Sequence, residues 1–338
     1  METVIPFGSI HCWKEASTRN KNDDSNKIRE ATLEAIINKQ IPEKYYKDES
    51  WKNLRNALRS CIKTNYKDLT LLSCKHKGGR KYNYDFTFTF ENPITHTKIE
   101  EKIEFKFNAS RIYDCPQFSS PSKPSTFLTL NFEEYWYDTF LPKICENTEF
   151  NVPNKENYVK EINNNEPKCM TDFQTLYYKG CKRSSKFEPS NKKAINFYNK
   201  CKKISKQGIR EFMKETSLKP DSLTTYLHDS QKEKKYLLYK DETFKMETHN
   251  QDMFSLINDS ITKNQNSFFA KTKSGHSLKI LLRWKNGEGI AFPAFQINQY
   301  IPPVKELKKI CKENNLNGYS KMKKNELVIF LNKNNIVV

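Results

Sequence analysis

The sequence predicts an α/β protein, and two features predict it. Apolar residues recur at helical spacing from about residue 25 to 63, and the period then switches to two through 107. Beyond that point the helical patterns return, interrupted by one clear late hairpin at 277–297.

Residues 13–27 are polar. Asp24 or Ser25 is placed to cap a helix through KIREATLEAIINKQ, with Ile28, Leu33, Ile36 and Ile37 as its apolar stripe and Pro42 ending the segment. A second helix is expected over 49–63, with Trp51, Leu54, Leu58 and Ile62 on one face. Three strands follow, at 68–75, 82–90 and 98–107. Gly78 and Gly79 suit the first turn, because glycine takes positive φ without steric cost, and ENPITHT makes the second. The expected order is therefore helix, helix, antiparallel three-strand meander. A connection containing Pro116, Pro121 and Pro124 leads to a helix at 131–146 and a loop-like stretch at 147–170. Helical patterns cover 190–205, 207–215 and 221–232. The late hairpin has Asn286-Gly287 at its turn. Pro302-Pro303 marks a boundary before a C-terminal helical unit.

The chain of 338 residues carries a formal net charge of +18. Such an excess favours a polyanionic partner, since lysine and arginine displace condensed counterions from a phosphate backbone. A composition rich in Lys, Asn and Ile would give the same charge for a blander reason. No run of about 18 apolar residues exists, so no membrane span is expected, and the N-terminus lacks the pattern of a secretory signal. Nine scattered cysteines with no Cys-x-x-Cys read as reduced thiols in an intracellular, non-secreted protein.

The meander carries the chemistry. Setting Asp85 opposite Glu104 puts the midpoint of the pair between Ile94 and Thr95, inside the expected turn. Opposed residues share a face, as do residues two apart, so Asp85, Glu104 and Lys106 project together. Phe86, Phe88, Phe90, Ile103, Phe105 and Phe107 fill the other face. Two carboxylates about 5 Å apart suit a hard divalent cation, Mg²⁺ or Mn²⁺, with Asp85 and Glu104 as its ligands. The alternating signs of Glu100, Lys102, Glu104 and Lys106 also fit a solvated strand face, and the residues alone leave both readings standing.

Asp85, a turn, then Glu104-Phe105-Lys106 resembles the PD-(D/E)xK nuclease superfamily, home of many restriction endonucleases. Tyr84 stands where that motif often has Pro. The resemblance covers about residues 25–146 and leaves the position of the fold's remaining strand open. It implies a restriction-endonuclease-like core of helix, three-strand antiparallel meander and helix. It also implies a further acidic residue from the first helix, Glu30, with Glu34 as the alternative.

From 179 to 210 there are eleven basic residues and one acidic one. This stretch suits phosphate contact, although apolar positions such as Ile195, Tyr198 and Cys201 also fit an ordinary helix packed on a core. The tail, VKELKKICKENNLNGYSKMKKNELVIFL, reads as helix, turn at Gly318, and a helix capped by Ser320, with Leu307, Ile310, Leu316, Leu327 and Phe330 as its core. It resembles the SAP and Rho-N-terminal types of small nucleic-acid-binding hairpin, with Met322 where SAP motifs usually have Gly. That resemblance implies Tyr319, Ser320, Lys321, Lys323 and Lys324 as binding residues, gathered at a helix N-terminus that attracts phosphate.

The expected division is a nuclease core at 1–175, a basic helical region with a β-hairpin, DNA-binding and packed on the core, at 176–300, and a SAP-like module at 301–338. The expected activity is Mg²⁺-dependent hydrolysis of DNA by Asp85, Glu104, Lys106 and Glu30. A catalytically inactive DNA-binding protein and an RNA-directed nuclease are the rivals. Oligomeric state is left open, with a homodimer among the options.

Overall fold

The strictly alternating run at Phe86–Phe90 forms the second strand of a five-stranded sheet. A computed structural model of the chain describes residues 5–14, 22–77, 82–112 and 119–336. The expected turn glycines Gly78 and Gly79, and Pro116 of the connection, lie outside the described residues.

Contacts divide the chain into two units, residues 1–115 with 228–251, and 116–227 with 252–338. This differs from the expected boundaries at 175 and 300. The cause is a strand at 234–240, which pairs with the meander's third strand although far from it in sequence.

In the first unit, a single helical turn α1 (His11–Lys14) precedes α2 (Asn22–Ile37) and α3 (Glu49–Asn65). Strands β1 (Thr70–His76), β2 (Phe86–Glu91) and β3 (Lys98–Phe107) form the antiparallel meander. β4 (Lys234–Lys240) lies parallel to β3, and β5 (Thr243–Thr248) returns antiparallel, in the order β1-β2-β3-β4-β5. The parallel register sets Glu104 beside Tyr236 and Lys106 beside Leu238. α2 begins at Asn22, so Asp24 and Ser25 lie inside its first turn and do not cap it. Its inner face is Leu33, Ala35 and Ile36, whereas Ile28 is exposed. Asp48 caps α3, accepting from the amides of Ser50 at 2.9 Å and Trp51 at 3.2 Å. Phe86, Phe88, Phe90, Ile103 and Phe105 are buried with Trp51, Leu54 and Leu58 of α3 and with Leu237 and Tyr239 of β4. Trp13 of α1 closes this core edge-on against Tyr239, with ring centroids 4.9 Å apart.

The second unit is helical, with one further sheet. The helix expected at 131–146 breaks at Phe140 into α4 (Phe132–Thr139) and α5 (Leu141–Cys145), where Pro142 sits in the first turn. It belongs to this unit and not to the one that holds the meander. The stretch expected to be loop-like holds α6 (Lys155–Glu161), and α7 (Thr171–Gly180) follows. The two patterns at 190–215 join into one helix, α8 (Lys192–Glu215), followed by α9 (Pro220–Gln231). The unit's sheet is an antiparallel meander of β6 (Thr262–Asn264), β7 (Ser267–Lys271), β8 (Ser277–Trp284) and β9 (Pro293–Gln299). The expected hairpin is β8–β9, but its connection runs over 285–292 instead of turning at Asn286-Gly287 alone. That longer loop brings the carbonyl of Gly289 to the buried indole of Trp136, which donates to it at 3.1 Å. The tail hairpin is α10 (Val304–Glu313) and α11 (Lys324–Lys333), with a small cluster of its own. Among the described residues no helix is long and apolar enough to cross a membrane, and the eight described cysteines are free thiols.

Gly208 of α8 packs against Trp136 of α4 and against Phe140. A Cβ there would lie 2.5 Å from Trp136 and 3.0 Å from Phe140. Both rings are fully buried and cannot swing away without disturbing the core. Gly208→Ala is expected to destabilise the protein by about 1–3 kcal/mol, as overpacking does. Urea denaturation measures this, and an unchanged or raised midpoint would refute the close packing described.

Candidate active site on the first sheet

The observed register of β2 and β3 ends with Phe86 paired to Ile103, and Asp85 lies one residue before β2. The Asp85 amide donates to the carbonyl of Ile103 at 2.9 Å, and its carboxylate accepts from the Phe105 amide at 2.8 Å. That second bond anchors the Asp85 side chain on the backbone of the Glu-x-Lys strand. Lys106 Nζ donates to Glu104 Oε1. Asp85, Glu104 and Lys106 thus come together as the sequence predicts.

Exposure along β3 separates the two readings of its alternating charges. Glu100 is exposed and the Lys102 side chain is 41% exposed, but Lys106 is 24% and Glu104 only 13% exposed. The far end of the strand is a solvated face, and the end near Asp85 is a partly enclosed site.

The first helix contributes through Glu30. His76 Nε2 lies 2.9 Å from Glu30 Oε2, and the negative charge of Glu30 bears on Asp85. Glu34, one turn on, accepts the backbone amide of His76 at 2.9 Å and so helps to hold the end of β1. Of the two acids weighed from sequence, Glu30 is the one that bears electrostatically on Asp85.

β4 adds a residue that sequence reasoning does not single out. Lys234 is buried, with its side chain 4% exposed. Its Nζ lies 3.2 Å from Glu104 Oε2 and 2.6 Å from the carbonyl oxygen of Asn83. Its distance in sequence hides it, and only the parallel pairing of β4 with β3 brings it in. Its signal is a lysine leading a run, YLLY, that reads as a buried strand. His76 is hidden for the same reason: it belongs to a strand whose partner in the site is a helix.

These contacts set unequal charges. Burial, with the Glu104 charge opposite, pushes the Asp85 carboxyl up to about 7, and the opposing pull of Lys106 does not cancel it. Burial also acts to raise Glu104, but Lys106 and Lys234 outweigh it and hold that carboxyl below its ordinary value. Burial lowers Lys234, against the attraction of Glu104. Hydrogen bonding to Glu30 raises His76, against its burial. A bound cation would relieve the crowding of negative charge at Asp85, and the donors are hard carboxylate oxygens, so the residues fit magnesium. Among the described residues no three His, Cys, Asp or Glu side chains form a closed metal cage, and an ion that keeps several waters does not require one.

In the tail, Leu307, Cys311, Leu327, Val328 and Leu331 are buried, and Ile310, Leu316, Tyr319, Met322 and Phe330 pack around them. Met322 therefore fills space where a SAP motif would have Gly. α11 starts at Lys324, not after Ser320, and the carboxylate of Glu326 accepts the Lys323 amide at 2.6 Å. Tyr319, Ser320 and Lys321 therefore lie in the connection, and only Lys323 and Lys324 stand at the helix start. Ser320, Lys321, Lys323 and Lys324 are exposed and Tyr319 is half-buried. Lys324 Nζ donates to the carbonyl of Ile301 at 2.9 Å, which ties the hairpin to the segment that leads into it.

Residues 303–336 match the family described as Rho termination factor, N-terminal domain. The match covers the tail hairpin and stops there. A comparison with curated proteins found no match to the chain.

The raised Asp85 carboxyl has a measurable consequence in metal-free protein. Its folded-state value is above its unfolded value, so its contribution to stability is full below about pH 4 and is lost as pH rises through 7. Asn keeps an oxygen for the Phe105 amide but cannot ionise. Asp85→Asn in EDTA is therefore expected to be more stable than the parent at pH 8, by roughly 2–4 kcal/mol, with a smaller gap at pH 4.5. Equal gaps in urea denaturation at the two pH values would show that Asp85 is not crowded by charge.

Proposed function

We propose that the chain is a magnesium-dependent nuclease that hydrolyses phosphodiester bonds of DNA, with manganese as an alternative ion. The observation that carries this reading is Asp85 fastened to the Phe105 amide, between Glu104 and Lys106, at the enclosed end of the sheet. The PD-(D/E)xK resemblance left one strand to find, and β4, parallel to β3, supplies a strand at that edge. The net charge of +18 and the tail match support a nucleic-acid substrate.

Asp85 and Glu104 would hold the ion. When bound, it would lower the pKa of a coordinated water and offset charge on the phosphate. The protein's own groups do the positioning. The Phe105 amide fixes one oxygen of Asp85. Lys106 and Lys234 grip separate oxygens of Glu104. Lys234 is buried and serves to hold Glu104, whereas Lys106 is more exposed and better placed to face a phosphate. His76 bonded to Glu30 places a titratable pair beside the carboxylates.

The tail match bears on the choice of nucleic acid. The match is to the Rho type and not to SAP, and it does not by itself favour DNA over RNA. RNA cleavage is accordingly the second reading, and the assay includes both substrates.

Plasmid nicking is expected to require Mg²⁺ or Mn²⁺ and to stop in EDTA. Asp85→Ala and Lys106→Ala are each expected to lower turnover by about 10²-fold or more while binding persists, as removal of one group that stabilises the transition state does. Cleavage at full rate in EDTA would refute the proposal, and cleavage of RNA alone would decide for the second reading.

The tail is expected to supply affinity rather than chemistry. Removing residues 301–338 should weaken binding and reduce the log–log salt slope by roughly 0.9 for each duplex phosphate that the tail neutralises. The shortened protein should still cut at low salt and high enzyme concentration. Unchanged affinity and slope would make the hairpin a protein-interaction element instead.

A further inference from the structure

Helix α8 uses its cations in two different ways. Lys193 pairs with Glu149, and Lys200 donates to the carbonyl of Glu146. These side chains fasten the helix to the segment after α5. Lys192, Lys203, Lys206, Arg210 and Lys214 are all exposed, and among the described residues none of the five forms a salt bridge.

At about 100° per residue these five positions fall within an arc of roughly 80°. They run along about 33 Å of helix at 1.5 Å per residue. Asn196, Asn199 and Gln207 fill the same exposed face. The helix's two acids lie off it: Glu211, held by Gln207 Nε2 at 2.8 Å, is about 100° from Arg210, and Glu215 is further round. The cations therefore form one unbroken positive face. A shallow cleft leads from it to Arg283 and to Gln265 and Asn266, and Glu288 in that cleft offsets part of the charge of Lys206 and Arg283.

Like charges at i and i+4, such as Lys206 with Arg210 and Arg210 with Lys214, oppose helix formation by a few tenths of a kcal/mol each. The face thus works against the fold unless an anion meets it. Its aromatic neighbours do not take part, because Phe197 and Phe212 are buried in the core and Tyr198 lies on the flank. A face without aromatic platforms suits a phosphate backbone and gives no stacking surface for single-stranded bases.

We propose that this face of α8 is a sequence-independent binding track for the phosphate backbone of a nucleic-acid duplex. The inference rests on the nucleic-acid reading given above, but not on cleavage. It names a third element, besides the Asp85 hairpin and the tail, that meets the polymer.

The test is equilibrium binding of the full chain to a duplex of about 30 base pairs in EDTA, followed by fluorescence anisotropy from 50 to 200 mM salt. The variant is Lys203→Gln/Lys206→Gln/Arg210→Gln/Lys214→Gln. A control with the same loss of charge is Lys44→Gln/Lys47→Gln/Lys67→Gln/Lys98→Gln, all exposed positions of the first unit. The track variant is expected to bind at least tenfold more weakly at 100 mM salt. Its salt slope should be shallower by about 2–4, alike for unrelated sequences, and the control should change little. An unchanged track variant, or an equal loss in the control, would overturn the proposal while leaving the nucleic-acid reading in place. So would loss of single-strand binding with duplex binding intact. If the parent protein binds no duplex even at 50 mM salt, the nucleic-acid reading itself fails and takes the track with it.

Discussion

Lys234 meets Glu104 because β4 lies parallel to β3 and in register with it, and much else follows from that one pairing. It brings a buried ammonium to a carboxylate that burial would otherwise tend to neutralise. It gives β3 a partner on its second edge, so that Phe105 is covered by Leu237 and Tyr239 of β4. It also divides the first unit in sequence, since the chain leaves at 115 and returns at 228.

The parts legible in the sequence were those with local rules. The β2–β3 register followed from period two and the midpoint of a hairpin, and it brought Asp85 to the Glu104–Lys106 end of β3. The apolar face of α3 followed from helical spacing at Trp51, Leu54, Leu58 and Ile62. The tail hairpin followed from its turn at Gly318 and its paired apolar positions. What was hidden depends on pairing across long stretches of chain. Nothing near residue 234 signals that its strand belongs beside residue 104. Helix ends also slipped where side chains compete for amides: Glu326, not Ser320, serves the start of α11. The β4–β5 turn went unread because Asp241 and Glu242 both take positive φ there, a conformation usually announced by Asn or Gly.

Two regions of the molecule hold charge of opposite sign against its own repulsion. At Asp85 it is the charge of the neighbouring Glu104 carboxylate, enclosed and only in part offset by Lys106. Along the outer face of α8 it is positive and open to solvent. Neither is what stability alone would select, since each costs free energy that an apolar or neutral residue would not. The enclosed excess suits a small hard cation, and the open one suits an extended polyanion. A metal-dependent enzyme acting on a polymer needs both kinds of surface.

The split of the first unit also has a kinetic side. A ribosome that has finished β3 must make the whole of 116–227 before β4 exists, about 6–22 s at ordinary rates of synthesis. During that interval the strand that covers the second edge of β3 is absent, and β3 carries Ile103, Phe105 and Phe107 on one face. Exposed edges of that kind recruit other strands, and charged side chains are the usual defence. Lys98, Glu100, Lys102, Glu104 and Lys106 supply one at every second position of the strand. The residues proposed for chemistry in the finished protein are thus spaced as the charges that guard an unpaired strand edge.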